Sequence, residues 1–482
     1  MNNYKTNKSV FFITFTIFVF GIFMRVYNIN YENFWFDEIL SFWIADPTIS
    51  FMDSWERHQS IEQVPFLYNF LLKILFKIFG YEIFIGRYLS LIFNILGIIC
   101  VINISKLIKN NNSYILCLFL LCFNVYLIIY SQELRAYSLI FFLCSLSIYF
   151  FFKLMQPKKN QKLKFGLLVG NIISQILMII SHPFSLIVYF SIIIFIIIKY
   201  FKFKETFKEL NYSIFIISIF TIFYLFFYIV NTESYPGWLG QPTIKFYTNF
   251  YFSTFFGSRI VGLFYLVSLI SLIFFFKKKF KKEIFSLNFF LILFFLSYFL
   301  PLMFGYLFKP IIFHRYIIFV LIPIIVLISI LIFEINNQAI RNTVITILLL
   351  LTIGNLYTES IVQQFIKKRP HYKPEFIKLL NEINQSKEKN YTFNLSFPQK
   401  TEKSAFAAIE NYILKLTENK NTNIKYLEQN KFINSNKKKI WAICLPIIMN
   451  NKCNVLEKKL NSEILLSKNF SAINLVLIKK KE

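Results

Sequence analysis

The sequence predicts a membrane all-α bundle of about 11 transmembrane helices, followed by a small C-terminal α/β extracytoplasmic domain. Three observations predict it. Apolar runs of roughly 17 to 23 residues recur through residues 1–360, the length a helix needs to cross a hydrocarbon core. Of the 482 residues 56% are hydrophobic, with 63 Phe and only 12 Gly, unlike a soluble chain. From residue 361 onward, polar Lys, Asn, Glu and Ser interrupt shorter apolar stretches. Residues 1–360 therefore read as a polytopic domain and 361–482 as a soluble α/β domain, since about 120 residues can hold a small core of their own.

In order, residues 1–8 are short and basic, and 9–27 form the first span, ending at Arg25. No small-x-small cleavage site follows it, so it reads as a retained signal anchor. Residues 28–63 are a polar loop. Within 64–80, Lys73 and Lys77 are four apart and share one helical face, which predicts an amphipathic helix lying in the interface rather than a span. Further spans are expected at about 87–106, 114–131, 136–153, 165–181, 184–199, 211–230, 259–276, 285–308, 312–333 and 342–360. In the tail, 439–445 and 472–478 read as buried strands, and 375–383 and 405–416 as helices.

Charge sets the orientation. With 64–80 in the interface, one set of loops holds Lys106, Lys109, Lys153, Lys158, Lys202 and the run Lys277–Lys282. The opposite loops are sparser in positive charge, with Arg135, Lys245, Arg259, Lys309 and Arg315. The Lys-rich set is cytoplasmic by the positive-inside tendency, and eleven spans then leave the tail outside. The net charge of +27 is accounted for in this way, and no nucleic-acid partner is expected. Cys100, Cys117, Cys122 and Cys144 lie in apolar runs, whereas Cys444 and Cys453 lie in the tail and can pair.

This topology gathers unusual side chains on the extracytoplasmic face. Asp37 and Glu38 sit among the rings of Phe34–Trp43, where Trp35 and Trp43 fit an aromatic belt. His58 and Glu62 share that loop. Ser131–Tyr137 with Glu133 and Arg135, Ser181-His182-Pro183, Tyr235-Pro236-Gly237-Trp238 and His314-Arg315-Tyr316 lie on the same side. Ionisable groups near hydrocarbon are costly, so their clustering at one depth marks a reaction or binding site. Carboxylates with arginines suit transfer from a lipid phosphate: Arg offers a fork of donors to phosphate oxygens, and a carboxylate can deprotonate an attacking hydroxyl. Glu62 and His182, if close, could hold a divalent metal ion. No glycine-rich phosphate loop stands out, so no nucleotide cofactor is expected.

Several motifs occur together in order: Phe36-Asp37-Glu38, Val64-Pro65-Phe66-Leu67-Tyr68, Gly86-Arg87-Tyr88-Leu89-Ser90, Ser131-Gln132-Glu133-Leu134-Arg135-Ala136-Tyr137-Ser138, His314-Arg315-Tyr316 and Tyr372-Lys373-Pro374-Glu375. With this set the chain resembles the C-type (GT-C) glycosyltransferases that use polyprenyl-phosphate sugars. The likeness is to the bacterial branch with aminoarabinose and galacturonic acid transferases of lipopolysaccharide, more distantly to protein O-mannosyltransferases, and it covers nearly the whole chain. The resemblance implies Asp37 as the catalytic carboxylate with Glu38 in support. It implies Arg135 and Arg315 on the donor phosphate, with Gln63 in place of the family's usual His or Lys before the proline. Tyr68, Glu133 and Tyr137 would contact substrate, and Glu62 and His182 would take the metal positions. The expected enzyme is an inverting hexosyl- or pentosyltransferase of the bacterial cytoplasmic membrane. Its donor would be a polyprenyl-phosphate sugar, and its acceptor a lipid, glycan or protein on the extracytoplasmic face. A transporter or flippase, and a lipid-linked glycan polymerase or ligase, are the alternative readings. Release of polyprenyl phosphate, movement without bond cleavage, or release of diphosphate separates the three.

Overall fold

The computed structural model describes residues 8–62, 64–109, 111–156, 161–204, 208–231, 239–281, 285–358, 372–394, 399–418, 424–445, 453, 457 and 460–481. The chain divides into two compact units. Met1–Tyr27, Val64–Tyr68 and Tyr88–Arg369 form the first, and Asn28–Gln63, Asn69–Arg87 and Pro370–Glu482 the second.

The first unit is helical. Among the described residues, each of the eleven expected spans overlaps helix. Among the described residues, eight helices have the length and composition to cross a membrane, or nine when the bent pair Ser113–Cys122 and Val125–Ser131 counts as one span. Lys164–Ile179 and Arg259–Phe275 are apolar but shorter. The protein is a multi-pass membrane protein. Its central helix is Leu321–Ile332, every residue of which is buried. A helix that is apolar all round belongs in a core; this one packs against Ser113–Cys122, Arg259–Phe275, Asn288–Leu307 and Gln338–Thr358. Peripheral helices instead turn large apolar side chains outward, such as Phe11, Phe12, Phe223 and Phe226, as a surface facing lipid requires.

One expected span, 114–131, is broken, and its halves meet at 54°. Asn124 causes the restart: its Oδ1 accepts from Leu127 N at 2.9 Å, which caps the second half. Arg25 serves the first half. It is fully buried and donates to the carbonyls of Leu121 at 3.0 Å and Cys122 at 2.6 Å, the final turn of Ser113–Cys122. Its Nε donates to Asn94 Oδ1 at 2.9 Å. A break at membrane depth is tolerated only where protein groups satisfy the freed backbone in this way.

The loop ends of this unit segregate as charge predicted. Glu334 pairs with Lys109 and, at 2.9 Å, with Lys279, so three loops expected on the cytoplasmic side converge on one carboxylate. Lys164 and Glu209, from two more such loops, pair at 2.5 Å. Within this unit, the loops around Tyr137, His182 and Arg315, expected outside, meet at the other end of the helical stretch His314–Ile332.

The helix Leu67–Phe79 has 13 residues, about 20 Å, against the ~30 Å that crossing requires. Lys73 on it is buried and donates to the carbonyls of Asp46 and, at 2.9 Å, Ile49. Trp43 is likewise a core residue, buried beneath the Arg57 guanidinium 4.6 Å from its ring, rather than a belt residue.

The second unit holds a five-stranded mixed sheet. Its strands are β1 (Asn390–Asn394), β2 (Lys425–Tyr426), β3 (Lys439–Cys444), β4 (Ser462–Asn469) and β5 (Asn474–Lys480), in spatial order β2-β1-β3-β5-β4. β1 pairs in parallel with β2 and β3, and β5 antiparallel with β3 and β4. Phe432, Ile440, Ala442, Cys444, Val476 and Ile478 form a buried cluster within it. The expected strands correspond to β3 and β5. The expected helices correspond to Phe376–Gln385 and Gln399–Thr417. Cys444 and Cys453 form a disulfide.

Candidate active site

Asp37 and Glu38 open the helix Phe36–Ile44, where acidic groups are favoured by the N-terminal end of the helix dipole. They have different surroundings. Glu38 is fully buried. Its Oε1 accepts from Arg87 Nε at 2.9 Å and its Oε2 from Arg87 Nη2 at 3.0 Å and Lys373 Nζ at 2.8 Å. Trp35 N donates to the same Oε2 at 3.3 Å. Arg87 also donates from Nη1 to the Ile29 and Glu32 carbonyls, each at 2.9 Å, and lies over the Phe34 ring. Asp37, one residue earlier, is half-buried.

The segment around them is held by the tail. Phe34 N donates to Tyr412 OH at 2.8 Å, and the two rings stack at 5.2 Å. Glu32 accepts from the backbone N–H groups of Tyr372 and Lys373 at 2.7 and 3.2 Å, and Asn33 Oδ1 accepts from Ile377 N at 3.2 Å. Asp37 thus stands on a first turn fixed by Glu38 rather than on a free loop.

Burial alone would raise the Glu38 pKa, but Arg87 and Lys373 outweigh it and hold the carboxyl down to about 2 from its ordinary 4.5. A carboxylate depressed on folding contributes stability that is complete above its unfolded value and lost as pH falls through the folded one. This unit is therefore expected to lose stability between pH 4.5 and about 2. Tryptophan fluorescence reports it, because Trp35, Trp43, Trp55 and Trp441, four of the five Trp, belong to this unit. In Glu38→Gln the acid-side slope should flatten; an unchanged slope would assign the effect to other carboxylates.

The first unit carries a cationic cluster. Arg315 lies over the Tyr137 ring at 5.5 Å and the Phe313 ring at 5.1 Å. The His182 ring is 5.1 Å from Tyr316. Tyr126 OH and His314 Nδ1 are 2.9 Å apart, and the Tyr126, Tyr130 and Tyr137 rings succeed one another at 4.5 and 5.1 Å. Arg135 and Glu133 are each 9% exposed. Tyr130 lies within electrostatic reach of Glu133, Tyr137 and Arg315, and His182 within reach of Arg135 and Arg315. Burial first, then those two cations, push the His182 imidazole down to about 3, so it is neutral at ordinary pH.

Arg135 is positioned from behind. Tyr68 OH and Ser90 Oγ are 2.8 Å apart, and Ser90 Oγ donates to the Arg135 carbonyl at 3.2 Å. Gln132 Nε2 donates to the Arg25 and Tyr27 carbonyls at 3.0 and 3.3 Å. Tyr68 is 3% exposed and therefore anchors this loop.

The expected site residues thus fall into two groups. Tyr68, Glu133, Arg135, Tyr137, His182 and Arg315 belong to the first unit, and Asp37, Glu38 and Glu62 to the second. Gln63 and Tyr235–Trp238 lie outside the described residues. Glu62 ends the helix Phe51–Ile61. Among the described residues, no three His, Cys, Asp or Glu side chains gather as a metal-binding group, and Glu62 and His182 belong to different units. Sequence reasoning gave no role to Arg87, Lys373 or Ser90. Arg87 opens an apolar run, where an arginine reads as an interfacial anchor, and its carboxylate partner is 49 residues away.

A sequence profile of the dolichyl-phosphate-mannose-protein mannosyltransferase family matches residues 63–226, about a third of the chain. No curated protein sequence matches significantly. Among solved structures, the fold is similar to that of ArnT from Cupriavidus metallidurans. In the apo state the TM-score is 0.60, at 9% identity, with 98% of each chain covered. Bound to undecaprenyl phosphate, ArnT gives 0.58 at 9% identity, again with 98% of each chain covered. The archaeal oligosaccharyltransferase AglB from Archaeoglobus fulgidus, in complex with an inhibitory peptide and a dolichol-phosphate, gives 0.51 at 11% identity over 90% of this chain and 69% of its own. These likenesses show the fold: the chain is built like ArnT and, less closely, like AglB.

Proposed function

We propose that the protein transfers a monosaccharide from a polyprenyl-phosphate donor to a hydroxyl of an envelope glycolipid, polysaccharide or protein. Transfer occurs on the extracytoplasmic face of a bacterial cytoplasmic membrane. The observation that carries this reading is the gathering of buried Arg135 and His182 with half-buried Arg315 at the loop ends expected outside, in a fold similar to that of ArnT, which was solved with undecaprenyl phosphate. Two guanidinium groups in a low-dielectric setting suit a phosphate that gains charge as it leaves. The Cys444–Cys453 disulfide supports an oxidising location for the tail.

In the proposed reaction Asp37 accepts the proton of the acceptor hydroxyl. The oxygen forms a bond to the anomeric carbon as the bond from that carbon to the phosphate oxygen breaks. The bonding pair leaves on polyprenyl phosphate, and the configuration inverts. Arg135 and Arg315 stabilise the departing phosphate, Tyr137 positions Arg315, and Glu133 faces the substrate. Glu38 holds the turn that carries Asp37. Purified protein incubated with a radiolabelled polyprenyl-phosphate sugar and envelope acceptors should release polyprenyl phosphate and label an acceptor. Movement of donor without bond cleavage would instead establish a flippase, and diphosphate release a polymerase or ligase. Arg135→Gln and Arg315→Gln are each expected to reduce turnover by roughly 10²–10³-fold, the usual cost of losing one charge-stabilising donor. Retention of wild-type kcat in both would remove the cluster from the reaction.

A further inference from the structure

Within the cationic cluster, the backbone decides the hydrogen-bonding role of His182. It precedes the short 3-10 turn Pro183–Ser185, and its Nδ1 accepts a hydrogen bond from Phe184 N at 3.2 Å, capping that turn. The side chain is 3% exposed and packs at one corner of a triangle of rings with Phe184, 5.5 Å away, and Tyr316, 5.1 Å away. A neutral imidazole has one nitrogen lone pair in the ring plane and one N–H. The cap uses the lone pair at Nδ1, so the proton sits on Nε2. Nε2 makes no hydrogen bond to any described residue.

A metal would need the opposite tautomer. Binding at Nε2 places the proton on Nδ1, where it would face the Phe184 N–H donor to donor. The charged groups acting on the ring are Arg135 and Arg315, both cations. Cations repel a metal ion and attract an anion.

We propose that His182 is a neutral donor to the phosphate, its Nε2–H aimed at a phosphate oxygen that Arg135 and Arg315 also hold, and not a metal ligand. This rests on the lipid-phosphate reading above and deepens it. Arginine supplies charge; the imidazole adds a directional donor that brings no positive charge of its own. Recognition of the phosphate is then independent of divalent cations.

Two substitutions separate donor from ligand. In His182→Asn the amide oxygen can keep the cap on Phe184 N, as Asn does at helix starts, and the amide nitrogen can still donate. In His182→Asp the carboxylate can also cap and is a good metal ligand, but it repels phosphate. The probe is undecaprenyl phosphate, added to purified full-length protein in detergent with EDTA, and the readout is thermal stabilisation against ligand concentration. Wild type should be stabilised without metal. His182→Asn should bind within about threefold of wild type, and His182→Asp at least about tenfold more weakly. Donor KM in the transfer assay should follow the same order. Stabilisation that appears only on adding Mg²⁺ or Mn²⁺, or His182→Asp binding as well as His182→Asn, would overturn the donor role and leave the lipid-phosphate reading standing. Wild type that is not stabilised with or without metal would overturn that reading and this inference together.

Discussion

Asp37→Asn is expected to lower sugar transfer by about 10²–10⁴-fold, the range lost when a general base is removed, while the protein still inserts and folds. The expectation of intact folding has a structural basis. Ion pairs, hydrogen bonds and ring contacts of Glu38, Glu32 and Phe34 fix the first turn, and Asn is isosteric with Asp. The loss should appear in kcat at saturating donor, because the proposed donor contacts lie on other residues. Matched tryptophan emission for the two proteins would certify the fold. If Asp37→Asn turned over at the wild-type rate, the base would have to be sought elsewhere.

The second large effect is on stability. Arg87→Met removes the main partner of a fully buried carboxylate. Breaking such a pair from one side costs about 3–5 kcal/mol, because the stranded charge is not rehydrated. Lys373 remains, but a single ammonium replaces a bidentate guanidinium that also ties down the Ile29 and Glu32 carbonyls. The double change Arg87→Met with Glu38→Met should recover much of the loss, since replacing both charges by apolar groups of similar volume is near neutral. Lys373 can follow the loss of its partner, being 16% exposed at its side chain. Thermal midpoints of the three proteins measure this. Equal destabilisation in single and double variants would mean that the cluster acts through packing rather than charge.

Much of the architecture could be read from the chain because membranes impose simple rules. The Lys-rich loops around Lys109 and Lys279 were assigned to one side by charge alone, and both reach Glu334. The apolar strands β3 and β5 announced themselves because both are largely buried. β4 did not. It is an edge strand, mostly exposed, and carries no apolar alternation to read. The break at Asn124 was also silent: no Pro or Gly marks it, and the apolar run 114–131 continues through it. Only the tertiary reach of Arg25 to the carbonyls at the break makes it tolerable. At the site, residue types and their shared side were legible. The clamp on Glu38 was not, since its partners lie 49 and 335 residues along the chain and a periodicity argument sees only neighbours.

The Glu334 cluster bears on how such a chain is made. Lys109 and Lys279 leave the ribosome well before Glu334, and while they are unneutralised their charge can hold each hairpin on the correct side. The carboxylate arrives after nearly every apolar segment has been threaded. It then cancels charge whose sorting task is finished and staples together hairpins 170 residues apart in order of synthesis. Biogenesis and final cohesion thereby draw on the same lysines at different times.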